Sequence, residues 1–106
     1  MRKFILVLTT VPEETKGLEM ARQLVEERLA ACVTITGACQ SVYWWEGKIT
    51  QDSECLLFIK TRASLYSRLE KRIKELHAYQ VPEIIALPIH RGSSGYLRWV
   101  EAETQP

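Results

Sequence analysis

Two side chains in this sequence stand out as candidates to hold a transition-metal ion, His77 and Cys32. Neutral imidazole is a good ligand for Cu(II) or Zn(II), and a thiolate favours Cu(I). His77 closes a stretch with helical spacing and is followed closely by Tyr79 and Glu83. One histidine per chain makes a sparse site, which a threefold assembly could fill out with ligands from neighbouring copies. In a purely structural role, the same imidazole would sit at a helix end and stabilise the negative pole of the dipole. Cys32 could act as a ligand only if reachable and deprotonated. It lies in an apolar run of strand type, where a free cysteine behaves as a small buried hydrophobe. His90, just before Arg91-Gly92, reads as an ordinary loop residue. No glycine-rich phosphate loop or nucleophile elbow is present, and the acids fall at ordinary helix-face spacing. The chain is therefore expected not to be an enzyme.

Composition narrows the class further. The chain has 106 residues, 46% of them apolar, which suits one small domain over residues 1–106 with a core that needs no staples. Fourteen basic side chains face 13 acidic ones, a balance that argues against a nucleic-acid partner. The densest basic cluster, Arg68 to Lys74, is interleaved with Leu69 and Glu70 and reads as a solvated helix face. No run approaches the roughly 20 apolar residues of a membrane span, and Arg2-Lys3 is not followed by a signal-peptide core. Cys32, Cys39 and Cys55 are an odd number with no Cys-x-x-Cys pair. That pattern points to free thiols in a reduced, cytoplasmic protein.

Periodicity supplies the elements that must position these residues. Phe4 to Leu8 is a continuous apolar run, a strand buried on both faces. Thr10, Pro12, Glu13 and Glu14 open a helix. Its apolar stripe is Leu18, Ala21, Val25 and Leu29, broadened by Met20 and Leu24, with Gly17 a mild weakness and residues 26–28 facing outward. A second strand begins near Cys32, is interrupted at Gly37, and resumes at Ser41 to reach a turn at Glu46-Gly47. A third runs from Lys48 towards Lys60, broken by Gln51-Asp52-Ser53. Leu65, Leu69, Ile73 and Leu76 define a second helix ending around His77 to Tyr79. Ile84 to Ile89 is a fourth strand, placed at a sheet edge because Pro88 cannot donate to a ladder. Tyr96, Leu97 and Val100 mark a short terminal helix.

The order β-α-β-β-α-β plus a helix, with right-handed crossovers, gives an α+β fold of the ferredoxin-like plan. Both main helices then cover one face of the sheet, leaving the other apolar face without a cover. Burial is worth about 25 cal/mol per Å², so association is expected. The hairpin carrying Tyr43, Trp44 and Trp45 reaches beyond the core, and these three residues are expected to anchor an interface.

Several segments in this order resemble the CutA family of divalent-cation tolerance proteins. They are residues 26–33 (Glu-Glu-Arg-Leu-Ala-Ala-Cys-Val), 43–49 (Tyr-Trp-Trp-Glu-Gly-Lys-Ile), 59–61 (Ile-Lys-Thr), 77–84 (His-Ala-Tyr-Gln-Val-Pro-Glu-Ile) and 96–100 (Tyr-Leu-Arg-Trp-Val). The resemblance covers nearly the whole chain. It implies a ferredoxin-like protomer in a tight trimer, similar in architecture to the PII signalling proteins. It also implies a cytoplasmic location and a link to copper and other divalent cations. Some bacterial members carry a cysteine where this chain has Thr9, and two adjacent histidines where it has Leu76-His77. The position often occupied by proline is Ala78. Of that ligand set only His77 is retained.

In the ferredoxin-like plan Lys60, Tyr79, Glu83 and Trp45 lie near strand ends. There they would line an intersubunit cleft suited to a small anion or metabolite, unless Lys60 is taken up by an ion pair across the interface. Three functions follow as alternatives: a protein that binds or responds to copper or another divalent cation, a PII-like regulator with a small ligand in its clefts, or a trimeric scaffold.

Overall fold

The computed structural model describes residues 3–104. Five strands and three helices follow in the order β1 (Phe4–Val11), α1 (Glu14–Glu26), β2 (Cys32–Ile35), β3 (Cys39–Trp45), β4 (Lys48–Arg62), α2 (Tyr66–Leu76), β5 (Ile85–Pro88) and α3 (Ser94–Ala102), with a 3-10 turn at Ala63–Leu65. All pairings are antiparallel and the sheet order is β2-β4-β1-β5, with β3 paired to the outer half of β4. β2 and β3 are one strand interrupted at Gly37, as the sequence implies, so the chain is an α+β fold with the anticipated element order. β5 pairs only with β1 and is an edge strand, consistent with Pro88.

Alternation along the strands separates two faces. Ile5, Val7, Thr9 and Val11 of β1, with Cys55, Leu57, Ile59 and Thr61 of β4, are buried. They pack with Met20 and Leu24 of α1 and Leu69 and Ile73 of α2. The α1 stripe differs from the expected one: Gly17, Met20, Ala21 and Leu24 face inward, while Leu18 and Val25 are exposed. Gly17 is a contact point, since a Cβ there would stand 3.1 Å from Val11 Cγ2 and 3.4 Å from Leu57 Cδ1. Leu29 is buried for another reason. Arg28 turns into the left-handed region (φ 63°), and the Arg28 and Leu29 N–H groups donate to the Val25 and Leu24 carbonyls. That Schellman closure folds Leu29 back onto the core.

The opposite face carries Leu6, Leu8, Leu56 and Phe58, half-buried, and the exposed Ile85 and Leu87 of the edge strand. It is partly covered from within the chain, contrary to expectation. Arg62 donates to Thr104 Oγ1 (2.9 Å) and to its carbonyl (2.6 Å), and Val100 is fully buried, which ties the end of α3 to this face.

β4 runs unbroken for 15 residues through Gln51-Asp52-Ser53, because β3 pairs with it across that stretch. The hairpin turns at Glu46 (φ 50°) and Gly47 (φ 78°), a two-residue turn with both φ positive that matches strand twist. It stretches the chain to 44 × 26 × 24 Å.

Candidate functional site

Where the hairpin leaves the sheet, it and the segment after α2 enclose an open cleft of about 630 Å³. Tyr43 and Trp45 form its hairpin wall, Tyr79 and Glu83 the facing wall, and Glu54 its floor. Strand parity explains the hairpin side. Ser41, Tyr43 and Trp45 alternate onto one face of the ribbon, opposite Asp52, Thr50 and Lys48. The Tyr43 hydroxyl donates to the Asp52 carboxylate, which pushes the Tyr43 phenol pKa up.

Glu54 is the feature that reading the sequence missed. It is only 7% exposed, and its Oε2 accepts from the Tyr79 hydroxyl at 2.7 Å. Burial first, and then this carboxylate, holds the Tyr79 phenol well above its ordinary range, so Tyr79 stays a donor. The available signal was an acid directly abutting the apolar run Cys55 to Ile59.

His77 positions the Tyr79 wall. α2 stops at Leu76, and His77 is already extended (ψ 142°). Its Nε2 lies 2.7 Å from the Thr10 carbonyl, and its Nδ1 accepts from the Tyr79 N–H at 3.0 Å. A carbonyl only accepts, so Nε2 carries the proton and the neutral tautomer is fixed. The ring also lies against that of Tyr79, with centroids 4.8 Å apart. His77 thus staples the post-helix segment to β1, and neither nitrogen is left with a free lone pair.

The sequence expectations for the site divide. Trp45, Tyr79 and Glu83 come together in the cleft, and Lys60 does not line it. Lys60 and Glu54 share a face of β4 but are six residues apart, about 20 Å at strand rise. Lys60 Nζ instead donates to Thr34 Oγ1 (2.8 Å) and lies 3.8 Å from Cys32 Sγ. Cys32 is half-buried rather than sealed, and sits on the partly open sheet face. Tyr96 of α3 contacts it, and burial and that sulfur keep the Tyr96 phenol pKa raised. Cys39 is half-buried and Cys55 is buried, and all three thiols are free.

A metal held by one protomer fits this placement poorly. His77 has both nitrogens engaged, and Cys32 lies beside a lysine ammonium on a different part of the sheet. Thr9 points into the sealed core at 0% exposure. Among the described residues no group of three or more His, Cys, Asp or Glu side chains could hold a metal ion.

Trp44 and Ile49 lie on the ribbon face away from the cleft, and Val42, which shares their strand parity, also borders the cleft. Trp44, Val42 and Ile49 are 72%, 66% and 68% exposed, an apolar patch left uncovered by the described residues. Tyr43 and Trp45, also named as interface anchors, show only part of their surface because they form the cleft wall. Among the described residues no helix is long and apolar enough to cross a membrane.

Residues 5–103 match the family model described as "CutA1 divalent ion tolerance protein". The divalent-cation tolerance protein CutA of Thermus thermophilus is 48% identical over 99 residues, covering 93% of this chain and 96% of that protein. The chloroplastic protein CutA 1 of Oryza sativa is 48% identical over 101 residues, covering 95% of this chain and 57% of that protein. The chain therefore spans a little over half the length of the plant relatives it matches. The crystal structure of CutA1 from Oryza sativa superposes with a TM-score of 0.95 at 47% identity, covering 98% of this chain and 95% of that one. By sequence along nearly its whole length and by fold, the chain belongs to the CutA1 divalent ion tolerance protein family.

Proposed function

We propose that the protein is a cytoplasmic, non-enzymatic divalent-cation tolerance protein that works as a homotrimer of ferredoxin-like protomers and binds or responds to copper or another divalent cation. The observation that carries the assembly is the apolar patch of Val42, Trp44 and Ile49, held outside the core on the paired β3-β4 hairpin. Large aromatic side chains in that position are the usual anchors of protein interfaces. The strand order supports the ferredoxin-like reading, because β2 and β3 together, then β4, β1 and β5, give the order 2-3-1-4 of the split βαβ plan. Family membership supports the metal link. Among its described residues one protomer offers no group of three or more metal-ligating side chains, so we assign the response to metal to the assembly or to what it binds. Titration of copper into the wild type and His77→Ala tests a direct role. If His77 is a ligand, the variant loses most bound copper and keeps its oligomeric mass. Unchanged uptake removes His77 from any metal site.

The cleft favours a second reading, a PII-like regulator that binds a small ligand. Its volume lies in the range of small-molecule sites, and its walls combine aromatic rings with a few polar groups. A metabolite panel read by melting temperature tests it, since a ligand selective for the folded state raises that temperature.

A further inference from the structure

The sequence suggests a cleft containing Lys60 and suited to an anion. The placement of Lys60 elsewhere reverses its charge. Among the described residues two carboxylates, Glu54 and Glu83, line the cleft, and no lysine, arginine or histidine does. The chain as a whole carries a formal net charge of +1, so this is a local concentration of negative charge rather than a general property of the surface. Glu54 is more than nine-tenths buried, and its carboxylate accepts from a neutral phenol, that of Tyr79. A carboxylate withdrawn from water is costly unless a cation or several donors compensate it. Trp45 and Tyr43 beside it present the aromatic faces that attract cations.

We propose that this cleft receives a small organic ammonium cation, with its charged nitrogen at Glu54 and its carbon skeleton against Trp45 and Tyr43. The proposal rests on the small-ligand reading of the cleft and adds the charge class of that ligand. A bare divalent ion suits the site less. Ca²⁺ or Mg²⁺ takes six or more oxygen ligands in a compact shell and Zn²⁺ a tight set of about four, whereas much of this cleft wall is carbon, from Val42, Trp45 and Val81.

The test uses three probes of matched shape and different charge: benzylamine, benzyl alcohol and benzoate, titrated into the full chain by calorimetry and tryptophan fluorescence. Benzylamine at neutral pH should bind at least tenfold more tightly than benzyl alcohol, and benzoate should not bind. Glu54→Gln should weaken benzylamine at least tenfold, and Glu83→Gln should weaken it by a smaller factor. Because Glu83 is exposed, that second variant keeps the test alive if Glu54→Gln does not fold. Benzoate binding as tightly as benzylamine would overturn the charge assignment and leave the small-ligand cleft standing. Binding by none of the three would overturn both. Benzylamine binding that appears only in Lys60→Met would show that the ammonium is supplied by a second copy of the chain, and would overturn the free ligand.

Discussion

From Cys55 to Thr61, every second residue of β4 is sealed against the helices, whereas from Lys48 to Ser53 none is buried. The two halves belong to one continuous strand, apolar from Cys55 to Ile59 and polar at Gln51-Asp52-Ser53. Leu57 and Ile59 are fully buried, while Ile49 is 68% exposed with Trp44 directly opposite it. The inner half spends its apolar surface on the chain's own core. The outer half keeps its surface available, and at about 25 cal/mol per Å² that surface favours a partner. The cleft lies at the boundary, where the strand passes from one regime to the other and where Glu54 is buried.

The largest effect should come from the inner half. Leu57→Ala should cost about 2–5 kcal/mol in denaturant unfolding, the usual range for a buried leucine. A loss below 1 kcal/mol would mean that the core is not as closed as it looks. At the boundary, His77→Ala removes two hydrogen bonds that fix the Tyr79 segment to β1, and should cost about 1–2 kcal/mol. Amide exchange at Tyr79 should quicken in that variant. If it does not, the staple is not what orders the cleft wall.

Thr9→Val should have a smaller effect of the opposite sign. Thr9 Oγ1 is buried without a hydrogen-bond partner among the described residues. Exchanging that hydroxyl for a methyl group should stabilise the fold by up to ~1 kcal/mol. A loss of stability would point to a bound water in that place.

The smallest expected effect is electrostatic and lies on the far side of the helices. Arg72 on α2 pairs with Glu27 after α1 at 2.9 Å, and its hydrogen bonds, with that of Gln23, hold the Glu27 carboxyl below its ordinary range. A depressed carboxyl contributes stability that is present above the unfolded-state value and lost as pH falls through the folded one. Arg72→Met should therefore lower stability slightly at neutral pH, and the gap to wild type should close in acid. A gap that persists at low pH would assign the effect to packing of the arginine stem.

The fold was legible because its strands and helices follow ordinary periodicities, and because Gly37, Gly47 and Pro88 punctuate them where the backbone demands. The errors came from long-range packing. Leu18 and Val25 have helical spacing yet face outward, because Gly17 lets α1 approach the sheet along the neighbouring stripe. Leu29 appears to continue the helix in sequence but is turned inward by the Arg28 closure. The site was half legible. Trp45, Tyr79 and Glu83 stand out as aromatics and an acid near strand ends. The partner that occupies His77 is a Thr10 carbonyl 67 residues away, which no local pattern reveals. Lys60 lies about 20 Å along β4 from Glu54, a separation set by strand rise that residue types alone do not show.

The contrast between the halves of β4 is tested most directly by sedimentation equilibrium at micromolar concentration, on the wild type and on the Trp44→Ser, Trp45→Ser double variant. The wild type should sediment as three chain masses. The double variant should fall towards one while keeping its far-ultraviolet circular dichroism, because its core residues are untouched. A wild type that sediments as a single chain would contradict the account, as would a variant that remains a trimer.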